Sequence, residues 1–283
     1  MALVKMKDLL KRAEEKNIGC GAFSVGNMEM VKGAIRAAEE LNTPIILQIA
    51  EVRLKNSPLH LMGPMMVQAA KEAKVDVAVH LDHGLTFETV DKALELGFTS
   101  VMLDASTLPF EENIARVKAV VEKARKYGAT VEAELGLVGG SEDGSCDHGI
   151  RCTDPDDAVV YARETGIDAL ACSFGTTHGI YLTEPKLDFD VVKNVREQTG
   201  NIPVVMHGGS GVSHDDYHTA IKSGVRKINY FTYMDVAGGA AAAEAVKATT
   251  EGKPYFFTEM ATRAREGMKK NVMSAMKMFA LQE

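Results

Sequence analysis

The chain has 283 residues, with 32 Lys and Arg against 39 Asp and Glu, and a formal net charge of −7. Because no run of basic residues forms a positive face, the charge pattern argues against nucleic acid or an anionic membrane as a partner. We expect neither a membrane span, which needs roughly 20 apolar residues, nor a signal peptide. Four cysteines without paired spacing indicate reduced thiols and a cytoplasmic location.

Apolar, strand-like runs alternate with amphipathic stretches along the whole chain. The eight predicted strands are 20–25, 43–50, 75–83, 100–106, 130–136, 169–175, 203–209 and 227–232. Helical spacing is found between them, for example at 27–41, 110–127, 155–165 and 189–199. Near-continuous apolar runs are typical of parallel strands buried on both faces. The alternation predicts an α/β protein, a (β/α)8 TIM barrel, with residues 1–283 in a single domain.

A doubly wound open sheet is the competing architecture. It would need a Gly-rich nucleotide fingerprint after the first strand. The segment from Gly21 to Gly26 enters the next helix without the G-x-G-x-x-G spacing, so the barrel is favoured.

Three histidines, His83, His178 and His207, each close a short apolar run or follow it. A single histidine at a strand end is more often a hydrogen-bonded structural residue. Three imidazoles brought together from three strand ends would instead match a catalytic zinc site, which has three protein ligands and an open fourth position.

Further polar residues are predicted at the same edge of the barrel, where the active sites of such barrels lie. Asp82, Asp104, Ser106 and Glu134 end predicted strands, and Asn229 lies in the eighth.

Two segments indicate a phosphate site. The run HGGSG at 207–211 follows the seventh predicted strand, and NYFT at 229–232 belongs to the eighth. Loops after strands seven and eight commonly bind phosphate through backbone N–H groups. Tight strand–helix packing would also require glycine, but the neighbouring histidines favour a phosphorylated small substrate.

The loop at 139–154 is rich in Gly, Ser and Asp. Its Cys146, His148 and Cys152 could indicate a second metal site or a redox pair. We favour a polar lid with incidental thiols, because this irregular spacing does not match a zinc-ligand pattern.

Two motifs carry a family resemblance: HLDHG at 80–84, and VEAELG followed by GG and Glu142 at 131–142. They resemble the signature motifs of the class II, zinc-dependent ketose-bisphosphate aldolases, which include fructose- and tagatose-bisphosphate aldolases. The resemblance extends from the GAF run at 21–23, through GT and HG at 175–179, to the last helices.

The resemblance implies an enzyme, a carbon–carbon lyase that reversibly cleaves a ketose phosphate to dihydroxyacetone phosphate and an aldehyde. It implies that His83, His178 and His207 bind Zn²⁺, with Glu134 beside the metal. Asp82 would transfer the proton at the scissile C3–C4 bond, and Glu142 would exchange the proton on the dihydroxyacetone-phosphate carbon.

The resemblance also implies residues for the dihydroxyacetone-phosphate half of the substrate, often with a bound Na⁺ or K⁺. They are Gly179, Gly208, Gly209, Ser210, Asn229 and Thr232. We further expect a homodimer or homotetramer, acting in carbohydrate metabolism such as glycolysis.

Departures from the family pattern concern the aldehyde half. Ser24, Ala105 and Phe231 replace the Asn, Gly and Asp of many members, and residues 49–53 replace a small, Ser- and Gly-rich stretch. The C-terminal Asp-Pro-Arg-Lys pattern is missing. A second substrate phosphate is therefore in doubt, and a ketose 1-phosphate or a sugar-acid 1-phosphate is an alternative. Arg53 is the counter-argument, since it could contact a phosphate or carboxylate of the aldehyde, or be merely a solvated arginine.

Other functions remain open at this point. A metal-dependent hydrolase or epimerase could use the same ligands. A catalytically silent protein would have lost the proton-transfer groups Asp82 and Glu142, which this chain retains. A Schiff-base aldolase has weak support, because the sixth predicted strand carries no lysine and Lys227 lies at the start of the eighth.

Overall fold

Eight parallel strands form a closed barrel in chain order in the computed structural model, which describes residues 2–140, 149–181, 184–249 and 253–282. The strands are β1 Cys20–Ser24, β2 Ile45–Ala50, β3 Val77–Gly84, β4 Ser100–Leu103, β5 Thr130–Leu135, β6 Ala169–Cys172, β7 Val204–Met206 and β8 Val225–Tyr230. Strand β1 closes the barrel by pairing with β8, with Ala22 opposite Asn229. The predicted TIM barrel is confirmed.

One helix, α1 Met6–Lys16, precedes the first strand, and the other helices follow the strands around the outside of the barrel. They are α2 Met28–Glu40, α3 Leu59–Glu72, α4 Phe87–Glu95, α5 Phe110–Tyr127, α6 Pro155–Thr165, α7 Phe189–Gln198, α8 His214–Ser223, α9 Thr232–Lys247 and α10 Phe257–Phe279, with a short 3-10 helix, Glu51–Arg53, after β2. Within the described ranges, none of these helices is long and apolar enough to cross a membrane.

Alternate residues of each strand face the barrel interior, as the period of two of a β-strand requires. Near the amino ends of the strands the inward side chains are small, including Ala22, Ala78 and Ala169. They leave room for Met6 and Leu10 of α1, which are fully buried against them. Helix α1 thus closes the amino end of the barrel, and the opposite, carboxyl end is left for the site.

The outward side chains of the strands form the main core with the surrounding helices. Phe23, Leu47 and Val79, for example, are fully buried in this layer. Burial on both faces explains the continuous apolar runs from which the strands were predicted.

Several strands end earlier than predicted because glycine residues redirect the chain. Strand β6 ends at Cys172 and β7 at Met206, before Gly175 and Gly208, whose φ angles are +111° and +61°. A side chain at Gly208 would lie 2.6 Å from the backbone of Thr177. Strand β8 lies two residues earlier than predicted, and Thr232 begins helix α9 rather than ending a strand.

Candidate active site

The three predicted histidine ligands meet at the carboxyl end of the barrel. His83 lies in β3, His178 in the loop after β6, and His207 directly after β7. One ring nitrogen from each can be chosen so that all three lie within 4.8 Å of one another. Residues that are far apart in the sequence therefore form one cluster with the spacing of metal ligands.

A backbone irregularity allows consecutive residues of β3 to face the same site. The pairing of β3 with β4 shifts register between Leu81 and Gly84, and His83 has a φ angle of +39°. This angle is uncommon for a residue with a side chain and is typical of functional sites. The next residue, Gly84, has to be glycine, because a Cβ there would collide with the carbonyl oxygen of Met102. The bulge thus brings His83 beside Asp82 instead of onto the opposite face.

The hydrogen bonding of the histidines fits a metal ion. His83 Nε2, His178 Nε2 and His207 Nδ1 are buried and have no hydrogen-bond partner. On the opposite side of two rings, His83 Nδ1 lies 2.7 Å from Asp104 Oδ2, and His207 Nε2 lies 2.8 Å from Glu132 Oε1. Carboxylates that orient an imidazole in this way are the usual outer partners of metal-binding histidines. Three imidazoles are also a typical donor set for zinc.

Glu134 of β5 lies against this cluster. Its Oε2 is 2.9 Å from His207 Nδ1, although the two groups are not aligned for a hydrogen bond. With His83 and Asp104, Glu134 forms a second group that could hold a metal ion. The structure therefore places Glu134 beside the histidines, where the resemblance implied it.

The electrostatic field favours positive charge at two of the three histidines, whereas burial and the charges of His83 and His207 hold the pKa of His178 well below its usual value. Burial lowers the pKa of His83, but the Asp82 charge and the hydrogen bond with Asp104 outweigh it and hold the pKa well above its usual value. For His207, burial and His83 are outweighed by Glu132 and Glu134, which raise the pKa to about 9. Carboxylates that stabilise a protonated imidazole here would equally stabilise a divalent cation between the rings.

Asp82 is a buried, ionised carboxylate beside the histidine cluster. Gln48 of β2 donates a hydrogen bond to its Oδ2 at 2.9 Å, and Asn229 of β8 donates to its Oδ1 at 3.1 Å. Burial raises the pKa of Asp82, but the charges of His83 and Lys227 outweigh burial and lower it. The sequence predicted Asp82 and Asn229 here but missed Gln48.

A second polar layer, which was not predicted from the sequence, lies directly below, inside the barrel. Lys227 and Glu132 are both fully buried, with Lys227 Nζ 2.9 Å from Glu132 Oε2. His80 Nε2 lies 3.7 Å from the same oxygen, and its Nδ1 is 2.8 Å from Ser100 Oγ. Burial and the charge of Lys227 lower the pKa of His80 to about 3, so this imidazole is neutral.

This second layer has a simple sequence signal. His80 and Asp82 are two residues apart, as are Glu132 and Glu134, and Lys227 and Asn229. In a β-strand, residues two apart point to the same side. Each pair therefore contributes one side chain to the upper site and one to the layer beneath it.

The predicted phosphate residues line one pocket beside the histidines. The lining residues are Ser24, His178, Gly179, Gly208, Gly209, Ser210, Asn229, Tyr230, Phe231 and Thr232. Ser210 Oγ accepts hydrogen bonds from the backbone N–H groups of Phe231 at 3.0 Å and Thr232 at 3.2 Å. These N–H groups belong to the start of α9, where the helix dipole favours an anion.

The chain just before residue 141 is hydrogen-bonded to the segment that carries His178. The backbone N–H of His178 donates to the carbonyl of Gly139 at 2.9 Å. Glu142, Cys146 and His148 lie outside the described residues. Cys152 is exposed and, within the described part of the chain, belongs to none of the groups that could hold a metal ion.

Comparison with known proteins agrees with this geometry. A family model described as fructose-bisphosphate aldolase class-II matches residues 4–283. The chain belongs to the class II fructose-bisphosphate aldolase family. This confirms the resemblance carried by the motifs at 80–84 and 131–142 and assigns the chain to a family of aldolase lyases.

Relatives of this aldolase family match over nearly their full length. The chain is 40% identical to a probable fructose-bisphosphate aldolase of Bacillus subtilis (strain 168), covering 99% of this chain and 98% of the relative. It is 39% identical to a fructose-bisphosphate aldolase of Staphylococcus aureus (strain Mu50), with the same coverage. The crystal structure of the YdjI aldolase from Escherichia coli K12 superposes with a TM-score of 0.87 at 35% identity, covering 98% and 97% of the two chains.

Proposed function

We propose that this family member is a zinc-dependent aldolase that reversibly cleaves a ketose 1-phosphate or 1,6-bisphosphate to dihydroxyacetone phosphate and an aldehyde. One observation carries the proposal: three buried imidazole nitrogens without hydrogen-bond partners lie beside the ionised carboxylate of Asp82. A glycine-lined pocket that ends at a helix start adjoins them. The histidines would bind a metal ion, Asp82 would act as the base, and the pocket would hold the substrate phosphate. Retro-aldol cleavage of a sugar phosphate uses all three.

His83, His178 and His207 would hold the zinc, with Glu134 beside it. When bound there, Zn²⁺ supplies a Lewis acid that stabilises the negative charge developing on the three-carbon fragment. Asp104 and Glu132 fix two of the rings through their outer nitrogens, at 2.7 and 2.8 Å.

Asp82 would move the proton at the scissile bond. In cleavage its carboxylate takes the proton of the C4 hydroxyl, the C4–O group becomes the aldehyde, and the electrons of the C3–C4 bond pass to C3. In condensation the same proton returns to the aldehyde oxygen. Because Gln48 and Asn229 each donate a hydrogen bond to Asp82, the carboxylate is held in one orientation for both directions.

Dihydroxyacetone phosphate would occupy the pocket after β7 and β8. Gly179, Gly208, Gly209 and Ser210 line it, with Asn229 and Thr232 on the other side. A Na⁺ or K⁺ ion would lie near the phosphate.

Glu142 would exchange the proton on C3 of dihydroxyacetone phosphate. It lies outside the described residues, and support comes from the chain just before it. Gly139, three residues earlier in the sequence, accepts a hydrogen bond from the backbone N–H of His178.

Fructose 1,6-bisphosphate is one substrate that we propose for this enzyme. The relatives are named as fructose-bisphosphate aldolases, which supports fructose 1,6-bisphosphate as one substrate. We further propose a cytoplasmic homodimer or homotetramer that acts in carbohydrate metabolism, and in glycolysis where fructose 1,6-bisphosphate is the substrate.

A coupled assay tests the reaction. Fructose 1,6-bisphosphate, tagatose 1,6-bisphosphate and fructose 1-phosphate are supplied separately, and dihydroxyacetone phosphate is followed through a dehydrogenase that reduces it. An aldolase releases dihydroxyacetone phosphate from at least one of them. Release of inorganic phosphate, or conversion of one ketose into another without cleavage, would instead show a hydrolase or an epimerase.

A further inference from the structure

One tyrosine hydroxyl joins the two loops that carry His178 and His207. The Tyr181 hydroxyl accepts a hydrogen bond from the backbone N–H of Thr177 at 2.9 Å and donates one to the backbone carbonyl of Gly208 at 2.8 Å. Thr177 directly precedes His178 in the sequence. Gly208 directly follows His207. The hydroxyl therefore bridges the backbone beside two of the three histidines of the cluster.

Glycine residues allow this close contact between the two loops. The chain turns at Gly179, whose φ angle of +89° is one that residues with side chains rarely adopt, and Tyr181 then lies against Thr177, four residues earlier. The neighbouring loop comes equally close because residue 208 is glycine. A Cβ at Gly208 would lie 2.6 Å from the backbone of Thr177. The two loops thus touch at the point that the hydroxyl bridges.

The protonation of Tyr181 determines the direction of both hydrogen bonds. Burial raises the pKa of Tyr181 to about 12, although the hydrogen bond from Thr177 lowers it. The phenol therefore keeps its proton at neutral pH. A phenol has one proton to donate, which goes to the carbonyl of Gly208, and a lone pair of the oxygen accepts the N–H of Thr177. A phenylalanine ring would fill the same space and satisfy neither backbone group.

His178 is positioned differently from the other two histidines. Carboxylates orient the rings of His83 and His207 through their outer nitrogens. For His178 the contacts are to the backbone: its own N–H donates to the carbonyl of Gly139 at 2.9 Å, and the preceding N–H donates to Tyr181. The position of the His178 backbone relative to His207 therefore depends on the Tyr181 hydroxyl.

We propose that Tyr181 is a positioning residue whose hydroxyl sets the distance between His178 and His207 and so raises the affinity of the cluster for zinc. The inference rests on the zinc site proposed above and adds a residue that acts through the backbone of two ligands. Ligands that are already held in place lose less conformational freedom when the metal binds, so the affinity is higher. Without the hydroxyl, two peptide groups lose their partner and the loops can separate.

The zinc affinity of the metal-free protein tests this assignment. Zinc is titrated into wild type and Tyr181→Phe in competition with a chromogenic chelator of known affinity. We expect the dissociation constant for zinc to rise about 10-fold in the variant, at the lower end of the usual loss for groups that orient metal ligands. Cobalt(II) bound in place of zinc should also give a changed visible absorption spectrum, because its d–d bands report the geometry of the ligands.

Tyr217→Phe is the matched control. The Tyr217 hydroxyl is also buried and donates to the carbonyl of Gly209, but it connects the glycine turn to helix α8 rather than to the loop of His178. This variant should lose stability in urea, as Tyr181→Phe does. It should nevertheless keep the zinc affinity and the cobalt spectrum of wild type.

Gly208→Ala perturbs the same contact from the other loop. The added Cβ pushes against the backbone of Thr177 and separates the loops that Tyr181 joins. Zinc affinity should therefore fall in Gly208→Ala. Adding Tyr181→Phe to this variant should cost less affinity than it costs in wild type, because both changes act on one contact.

The contradicting outcomes are distinct. Wild-type zinc affinity in Tyr181→Phe would refute the inference, and so would equal losses in Tyr181→Phe and Tyr217→Phe, which would indicate general destabilisation of the glycine turn. If Tyr181→Phe shows no cooperative unfolding in urea, Gly208→Ala decides alone, and wild-type affinity there would refute the inference. A wild-type enzyme that binds zinc but releases dihydroxyacetone phosphate from no ketose phosphate would refute the proposed function, while the zinc affinities would still decide the role of Tyr181.

Discussion

The substitution Glu132→Gln tests the buried layer beneath the metal site. Glu132 is fully buried, lies 2.9 Å from Lys227 Nζ and contacts His207 Nε2 at 2.8 Å. Glutamine keeps the size of the side chain but removes its charge, so no cavity forms and the Lys227 ammonium loses its counter-charge. Removing one charged partner of a buried ion pair lowers the free energy of unfolding by about 3–5 kcal/mol.

We therefore expect Glu132→Gln to lower the free energy of unfolding by about 3–5 kcal/mol. Lys227→Met should destabilise by a similar mechanism, because it leaves a buried carboxylate. The double variant should be more stable than either single variant, since it buries no uncompensated charge. Urea unfolding of the metal-free proteins measures this, because chelation removes the contribution of zinc binding to stability.

The same residue connects stability to metal binding. In both Glu132→Gln and the double variant, His207 Nε2–H loses its carboxylate partner, so zinc affinity should fall about 10- to 100-fold. The double variant is the informative case, because it regains stability without regaining zinc affinity. Additive losses in the double variant, or wild-type zinc affinity in it, would refute the role assigned to Glu132.

Three further predictions concern the chemistry. Asp82→Ala should slow cleavage and condensation alike by about 10²–10⁴-fold, the usual contribution of a general acid–base, with zinc content retained; loss of only one direction would contradict the role. Glu142→Ala should slow exchange of the dihydroxyacetone-phosphate proton with solvent, measured by deuterium incorporation, and wild-type exchange would disprove the assignment. Borohydride with dihydroxyacetone phosphate should trap no adduct by mass spectrometry, because Lys227 is fully buried and paired with Glu132; an adduct on Lys227 would overturn the metal mechanism.

The fold and the upper site were predictable because both depend on local patterns. Continuous apolar runs identified the strands, and residues at the ends of strands must meet at one end of a parallel barrel. His83, His178, His207 and Asp82 were found in this way, and the structure brings all four together.

The remaining features depend on three-dimensional arrangement. Predicting that Glu132 and Lys227 form an ion pair requires the register between strands, which the sequence does not give directly. The β3 bulge that turns His83 inward depends on a close approach to Met102. The contact of Arg53 with Phe231 joins two rim segments from β2 and β8, and only the closed barrel brings them together.

Zinc titration of the metal-free enzyme tests the central claim most directly. The protein is stripped with a chelator, zinc is added back in steps, and bound metal and release of dihydroxyacetone phosphate from a ketose phosphate are measured on the same samples. The three buried imidazole nitrogens predict that activity is absent at the start and rises in proportion to bound zinc until one ion is held per chain. Full activity in a demonstrably metal-free sample would contradict the account.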